Sequence, residues 1–222
     1  MALLSVRGVS KTYHDKGEDL VVLSDVRFDL EPHSLNVLCG PSGSGKTTLL
    51  NIIAGLDRPD KGEVLLEGKK VEDLSMTMKT RVRSDLIGII FQNPNLVSYL
   101  TALENAILPA VLAGVNVDDV KQSGILFLDR LGLAKKMNAF PARLSEGERR
   151  RVSIARGLIS NPKLILADEP TANLDSENSE IVLGILKESA EKDACILLST
   201  HDERITALAN RTMRISYGRV ES

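Results

Sequence analysis

The sequence predicts an α/β fold with a mainly parallel sheet core, an N-terminal antiparallel β subdomain and an inserted α-helical subdomain. Three observations predict it. A glycine-rich loop, Gly40-Pro41-Ser42-Gly43-Ser44-Gly45-Lys46-Thr47, sits between a short apolar run and a segment of helical apolar content. Largely apolar runs at residues 35–39, 86–91, 163–167 and 195–198 alternate with helical patterns, the signature of parallel strands covered on both faces. From 93 to 143 strand signals vanish, and leucines and alanines recur at helical spacing.

In order, residues 3–9 alternate loosely and read as a first strand. Residues 11–19 are polar and read as a loop. Residues 21–30 supply a second strand with Val26, Phe28 and Leu30 on one face. Glu31-Pro32-His33-Ser34 turns the chain into the strand that feeds the glycine-rich loop. The first helix follows over 48–54 and ends in a turn at 56–62. Residues 63–68 form a short strand closed by glycine, and 76–84 a short basic helix. Gln92 follows the strand at 86–91. The helical stretch includes Leu103, Ala106, Ile107 and Ala110, then a second helix over 118–131. Leu144 opens the next helix, with Ser145 and Glu148 at capping-box spacing. A buried strand over 163–169 ends in two carboxylates. A helix over 176–191 and a strand over 195–200 follow, and His201 ends that strand. Gln92, Asp168, Glu169 and His201 therefore fall at the carboxyl edge of the sheet, where open α/β sheets bind ligands.

Composition narrows the function. The chain has 222 residues, 43% of them hydrophobic, which is enough for a substantial core. A formal charge of −2, only 3% aromatics and no Trp disfavour a nucleic-acid surface or a base-stacking platform. Cys39 and Cys195 lack metal-ligand spacing and read as small core residues in a reducing compartment. The first residues do not read as a secretion signal, and no apolar run approaches the length of a spanning helix.

The glycine-rich loop fits the phosphate-binding pattern G-x-x-x-x-G-K-[ST]. Glycines let backbone N–H groups turn inward around a phosphate, and the helix start adds a partial positive charge. Lys46 can reach the outer phosphates, and Thr47 can offer its hydroxyl to Mg²⁺. Asp168 suits the same cation, and Glu169, one residue on, suits a general base that polarises water. An N-cap or exposed turn is the other reading of that carboxylate pair. Ser145 as an N-cap leaves a second helix start able to receive an anion, or simply a helix with a solvated basic face.

These motifs together resemble the ATP-binding-cassette (ABC) ATPases over nearly the whole chain. Gly40 to Thr47, Gln92, Leu144-Ser145-Glu146-Gly147-Glu148, Asp168-Glu169, Ala172-Asn173-Leu174-Asp175 and His201 occur in that family's order and spacing. The loop extended through Thr48-Leu49-Leu50, the Thr101-Ala102-Leu103-Glu104-Asn105 segment and the 166–175 segment look like the branch serving lipoprotein release, macrolide export and related export. The resemblance implies a P-loop nucleoside triphosphatase fold in one domain over 1–222. Residues 1–92 and 144–222 would form the nucleotide-binding core with its β subdomain, and about 93–143 the helical subdomain.

It also implies ATP and Mg²⁺ as ligands and assigns roles. Lys46, Glu169 and His201 would be catalytic, His201 by contacting the γ-phosphate. Gly40, Pro41, Ser42, Gly43, Ser44, Gly45, Lys46, Thr47 and Thr48 would bind the phosphates. Tyr13 would stack on adenine, its other reading being an ordinary loop tyrosine. Thr47, Gln92 and Asp168 would hold Mg²⁺. Ser145, Gly147 and Asp175 would meet the nucleotide across a head-to-tail homodimer, and Asp175 can also be a helix N-cap. The partner would be an integral membrane transporter subunit, with the chain cytoplasmic and peripheral on the inner face of the membrane. No nucleic-acid partner is expected. The chain stops soon after His201, without the C-terminal regulatory domain of some importers, which favours export. The alternatives are a non-transport ABC ATPase acting in DNA repair or at ribosomes, or a weakly hydrolysing regulatory protein.

One position departs from the family pattern. Glu146 stands where the family usually has glycine. A carboxylate aimed at a triphosphate is repelled in a poorly screened site. The expectation is that Glu146 points to solvent and that nucleotide-driven closure survives in weakened form.

Overall fold

Among the described residues, ten strands in two sheets, with helices packed between and beside them, order the chain. The computed structural model describes residues 2–15, 18–75, 78, 82 and 84–221. β1 (Leu4–Asp15) and β2 (Glu18–Leu30) form a long antiparallel hairpin, joined by β4 (Lys61–Leu66) and β5 (Lys69–Lys70) in the order β2-β1-β4-β5. The second sheet has the order β10-β9-β3-β8-β7-β6. Its members are β3 (Ser34–Cys39), β6 (Ile87–Ile90), β7 (Leu164–Asp168), β8 (Cys195–Ser199), β9 (Arg211–Ser216) and β10 (Arg219–Glu221). All its pairings are parallel except β9 with β10.

The strand pleat explains the two cores. On β7 and β8, Ile165, Ala167, Ile196 and Leu198 point into one core, while Leu164, Leu166, Cys195 and Leu197 point into the other. Every residue of both strands is buried, which is why they read as unbroken apolar runs. Helix α1 (Lys46–Ile53) fills the second core between the two sheets with Leu49, Leu50, Ile52 and Ile53. Helices α2 (Ala102–Leu112), α3 (Val117–Arg130), α4 (Glu146–Leu158) and α5 (Ser176–Lys192) cover the opposite face of the large sheet. A short α6 (Glu203–Thr206) precedes β9.

Three differences from the sequence reading have physical causes. Residues 11–15 and 18–20 are strand, not loop: the ladder runs from Lys11↔Leu23 to Asp15↔Glu18. This end of the hairpin is largely exposed, so its residues are polar and show no burial alternation. β9 and β10 close the large sheet beyond His201, where no element was expected; Met213 and Ile215 are the buried, alternating residues that mark β9. Cys39 is only partly buried, at the mouth of the glycine-rich loop, whereas Cys195 is fully buried. The helix expected over 76–84 falls mostly outside the described residues.

Between β6 and α4 the described elements are α2, α3 and two single turns, Ala134–Lys136 and Pro141–Arg143. A capping box of Thr101 and Glu104 starts α2. Asn105, fully buried, ties the backbone of Val97, Leu100 and Thr101 to that helix. This orders the chain between Gln92 and α2.

Candidate functional site

The glycine-rich loop joins β3 to α1 at the carboxyl edge of the large sheet. Gly45 caps α1 with φ 102° and no side-chain cap bond. A Cβ there would lie 2.8 Å from Val22 O and Leu23 Cδ2, so both conformation and space require glycine. A Cβ on Gly40 would lie 2.3 Å from Ile215 O. The start of α1 thus offers uncapped N–H groups with no acidic residue in its first turn. Lys46 is buried and donates to Gly40 O at 2.8 Å and Pro41 O at 3.0 Å, curling into the loop. Ser44 Oγ is buried without a hydrogen-bond partner among the described residues. An orphaned hydroxyl, a buried ammonium and open N–H groups in one concavity fit a polyanion. Pro41, Ser42 and Gly43 form the exposed crest of the loop.

Thr47 Oγ1 donates to Asp168 Oδ2 at 2.6 Å, linking the loop to the end of β7. Ser199 Oγ donates to the other oxygen of Asp168. Gln92, Asn93, Thr47 and Asp168 line one cavity of about 390 Å³. Among the described residues no group of three or more His, Cys, Asp or Glu could hold a metal. One carboxylate, one hydroxyl and one amide fit a hard cation that takes its remaining ligands from water and phosphate, as Mg²⁺ does.

Glu169 turns out of the strand with φ 50°, a conformation uncommon for a non-glycine residue. Its N–H is anchored on Ser199, at 3.1 Å to O and 3.2 Å to Oγ. Its Oε1 lies 3.0 Å from His201 Nδ1. The Glu169 side chain is 14% exposed and that of His201 80%. Asp168 and Glu169 therefore serve different partners although they are adjacent in sequence.

Tyr13 sits on β1, with Thr48 of α1 near its hydroxyl. Its hydroxyl donates to Asp57 Oδ2 at 2.7 Å, and Lys11 Nζ lies 5.1 Å from its ring centroid. Lys11 also bonds Asp57 Oδ1 at 2.9 Å and Arg58 O at 2.7 Å. Partial burial pushes Asp57 up, but the bonds from Lys11 and Tyr13 outweigh it and hold the carboxyl below its usual range. Lys11 and Asp57 escaped the sequence reading; they lie 46 residues apart, and only the fold joins them.

Ser145 caps α4 in a full capping box: Glu148 N donates to Ser145 Oγ at 3.2 Å, and Ser145 N to Glu148 Oε2 at 2.7 Å. Asp175 caps α5, accepting from Asn178 N at 2.8 Å. Ser145, Gly147 and Asp175 do not line the Thr47–Gln92–Asp168 cavity of their own chain. Glu146 is exposed as expected, and its Oε1 also accepts a hydrogen bond from Asn173 Nδ2 at 2.7 Å.

Two arginines on α4 were not singled out from the sequence. Arg150, 4% exposed, donates to Phe91 O at 2.9 Å. Arg156 donates to Pro94 O at 2.6 Å and Asn95 O at 2.9 Å. Together they hold the backbone on both sides of Gln92. Beside them lies an apolar groove of about 300 Å³, lined by Ile89, Phe91, Leu108, Pro109 and Leu112, with the buried hydroxyl of Ser160 in it.

Comparisons with known proteins agree with this layout. The family pattern described as "ABC transporter" matches residues 23–172. The lipoprotein-releasing system ATP-binding protein LolD of Treponema denticola is 39% identical over 99% of this chain and 97% of its own length. The macrolide export ATP-binding/permease protein MacB of Syntrophobacter fumaroxidans is 40% identical over 100% of this chain, which spans 31% of that protein. A dimeric structure of a post-hydrolysis state of an ATP-binding cassette bound to ADP and Pi superposes with a TM-score of 0.94 at 36% identity, covering 99% of this chain and 97% of that one.

Proposed function

The chain belongs to the ABC transporter family, and from that premise we propose that it is the ATP-hydrolysing subunit of an export-type or lipoprotein-release transporter, working as an ATP-sandwich homodimer. The observation that carries the reading is the Thr47–Asp168 bond with the Glu169–His201 pair beside it. It joins a phosphate cradle, a cation site and a candidate base at one sheet edge.

In this reading Lys46 and the N–H groups of 40–48 hold the phosphates and stabilise charge on the transferred phosphoryl group. Thr47, Gln92 and Asp168 would hold Mg²⁺, which supplies charge neutralisation on the outer phosphates. Glu169, aimed out of β7, takes the proton of the attacking water, and His201 holds the γ-phosphate. Tyr13 presents its ring to adenine. Ser145, Gly147 and Asp175, which do not line the cavity of their own chain, complete the site of the partner protomer. The apolar groove beside Arg156 receives a helix of the membrane subunit, with α2 on one side of it. Residues 1–92 and 144–222 act as the core and about 93–143 as the helical lever. The dimeric cassettes superposing on this chain and the lipoprotein-release and macrolide-export relatives support the dimer and the transporter. Among the described residues no helix is long and apolar enough to cross a membrane, so membrane attachment in this reading comes through the partner, at its cytoplasmic face.

The test is Glu169→Gln. A general base contributes about 10²- to 10⁴-fold. Turnover should fall by that order while ATP binding persists and an ATP-bound dimer accumulates in analytical ultracentrifugation. Undiminished phosphate release in the variant removes Glu169 from the role of base.

A further inference from the structure

We infer that Asn173 forms a latch that parks the Glu146 carboxylate, and that this latch is what permits an acid at the helix start meeting a partner's triphosphate. The inference rests on the ATP-sandwich reading. It concerns two residues to which that reading gives no role.

Glu146 occupies the first position of α4, next to the capping Ser145. The N-terminal N–H groups of that helix favour a negative charge there in an isolated protomer. A triphosphate arriving from a second protomer reverses the balance, because two anions then compete for one low-screening space. A mobile carboxylate would oppose closure directly. The structure gives it a partner.

Asn173 holds it from one side, donating Nδ2 to Glu146 Oε1 at 2.7 Å. The backbone of Asn173 has φ 62°, in the left-handed region that asparagine tolerates better than other side-chain-bearing residues. One residue type therefore satisfies both the turn and the bond. The contact is supported below: a Cβ on Gly147 would lie 3.4 Å from Leu174 Cδ2 and 3.6 Å from Asn173 O, so the 173–174 segment lies against the first turn of α4.

Arg150 adds a cation to the surroundings of this latch. It lies four residues after Glu146, one helical turn along the same face, in the favourable acid-before-base order. It is buried and fixed to Phe91 O. Burial pushes its guanidinium down, and the nearby charges of Glu146, Asp168 and Glu169 pull it back up, in that order. The cation therefore stands in the field of Glu146 and of both carboxylates at the end of β7. Through Asn173 the charge on Glu146 is tied to the loop that leads to Asp175. Movement of that loop loads or releases the latch.

The experiment measures ATP-driven dimerisation by analytical ultracentrifugation across a NaCl series, in full-length protein carrying Glu169→Gln so that the dimer is not consumed. Glu146→Gly and Glu146→Gln should each tighten dimerisation about tenfold at low salt, by removing one charge near the nucleotide. Asn173→Gly keeps the left-handed backbone and deletes the amide; it should weaken dimerisation by a similar factor. Combined with Glu146→Gly, it should have no further effect. All these differences should shrink as salt screens the charges. The latch is overturned if Asn173→Gly acts equally with and without Glu146→Gly, if it tightens the dimer, or if its effect ignores salt. A Glu169→Gln protein that never dimerises with ATP defeats the sandwich reading itself, and the latch with it. A dimer whose variants break the expected pattern defeats the latch alone.

Discussion

The two helix starts that the proposed dimer would bring to one triphosphate are built in opposite ways. The start of α1 is open: a glycine caps it, no side chain bonds its N–H groups, and its first turn holds no acid. The start of α4 is closed on itself: Ser145 and Glu148 satisfy each other's backbone, and Glu146 and Glu148 are both in the first turn. In the proposed function the first is an anion receptor that needs nothing from another chain. The second has already answered its own dipole with carboxylates, so it gives a triphosphate less than a bare helix start would. The difference teaches where affinity and where control reside. In the proposed function, nucleotide capture belongs to α1 and its loop within one protomer, and the α4 side decides whether a loaded protomer closes on its partner.

The sharpest way to break this contrast is at Lys46. Lys46→Ala removes the ammonium group of the open helix start. Turnover should fall by about 10²- to 10³-fold, the size of effect seen when one preorganised donor to developing charge is lost. Equilibrium binding of ATP to isolated protomers should weaken too, because capture is assigned to this side. A variant that binds ATP normally as a monomer and loses only dimerisation would place capture elsewhere and erase the distinction.

Ser145→Ala sharpens the contrast from the other side. It deletes the acceptor for Glu148 N and should cost about 1 kcal/mol at the start of α4. The expected phenotype is weaker closure, read as a shifted dimerisation midpoint, with ATP affinity of the monomer unaltered. Titration calorimetry on the monomer separates the two. A loss of monomer affinity would mean that the α4 start reaches its own chain's nucleotide, contrary to its absence from the Thr47–Gln92–Asp168 cavity.

The same contrast shows what the sequence can reveal. The open start was legible because its chemistry is local: eight consecutive residues flanked by a strand and a helix specify it. The capping box was legible for the same reason, with its partners three residues apart. β7 and β8 were legible because burial on both faces leaves no polar position to interrupt the apolar run. The outer part of the β1–β2 hairpin was not, since residues exposed to solvent carry no period. Nor were the links that set the site's geometry. Lys11 to Asp57, Arg150 to Phe91 and Asn173 to Glu146 span 46, 59 and 27 residues. No periodicity connects positions so far apart; the sheet order brings them together. Glu146 shows both sides: its departure from the family pattern was visible, and its outward placement followed from repulsion, but its partners did not.

The smallest expected effect lies at Glu148, where charge and geometry can be separated. The backbone bond from Ser145 holds the Glu148 carboxyl below its ordinary range against a modest burial penalty, with Lys136 assisting. A carboxyl depressed on folding binds fewer protons in the folded chain than in the unfolded one. Its stabilisation is complete above the unfolded value and is lost as pH falls through the folded value. Glu148→Gln preserves a side-chain acceptor for Ser145 N but cannot titrate. Near neutral pH the variant should lose only about 0.3–1 kcal/mol, the worth of a charge at a helix start. In acid, its disadvantage should shrink towards zero, because the parent has lost that charge as well. Urea unfolding at a series of pH values between neutrality and acid reads this directly. A disadvantage that stays constant with pH would mean that the capping box is held by shape rather than charge. The capping box would then owe nothing to the Glu148 charge, and its part in the division between an open, capturing end and a closed, controlling end would rest on hydrogen bonding alone.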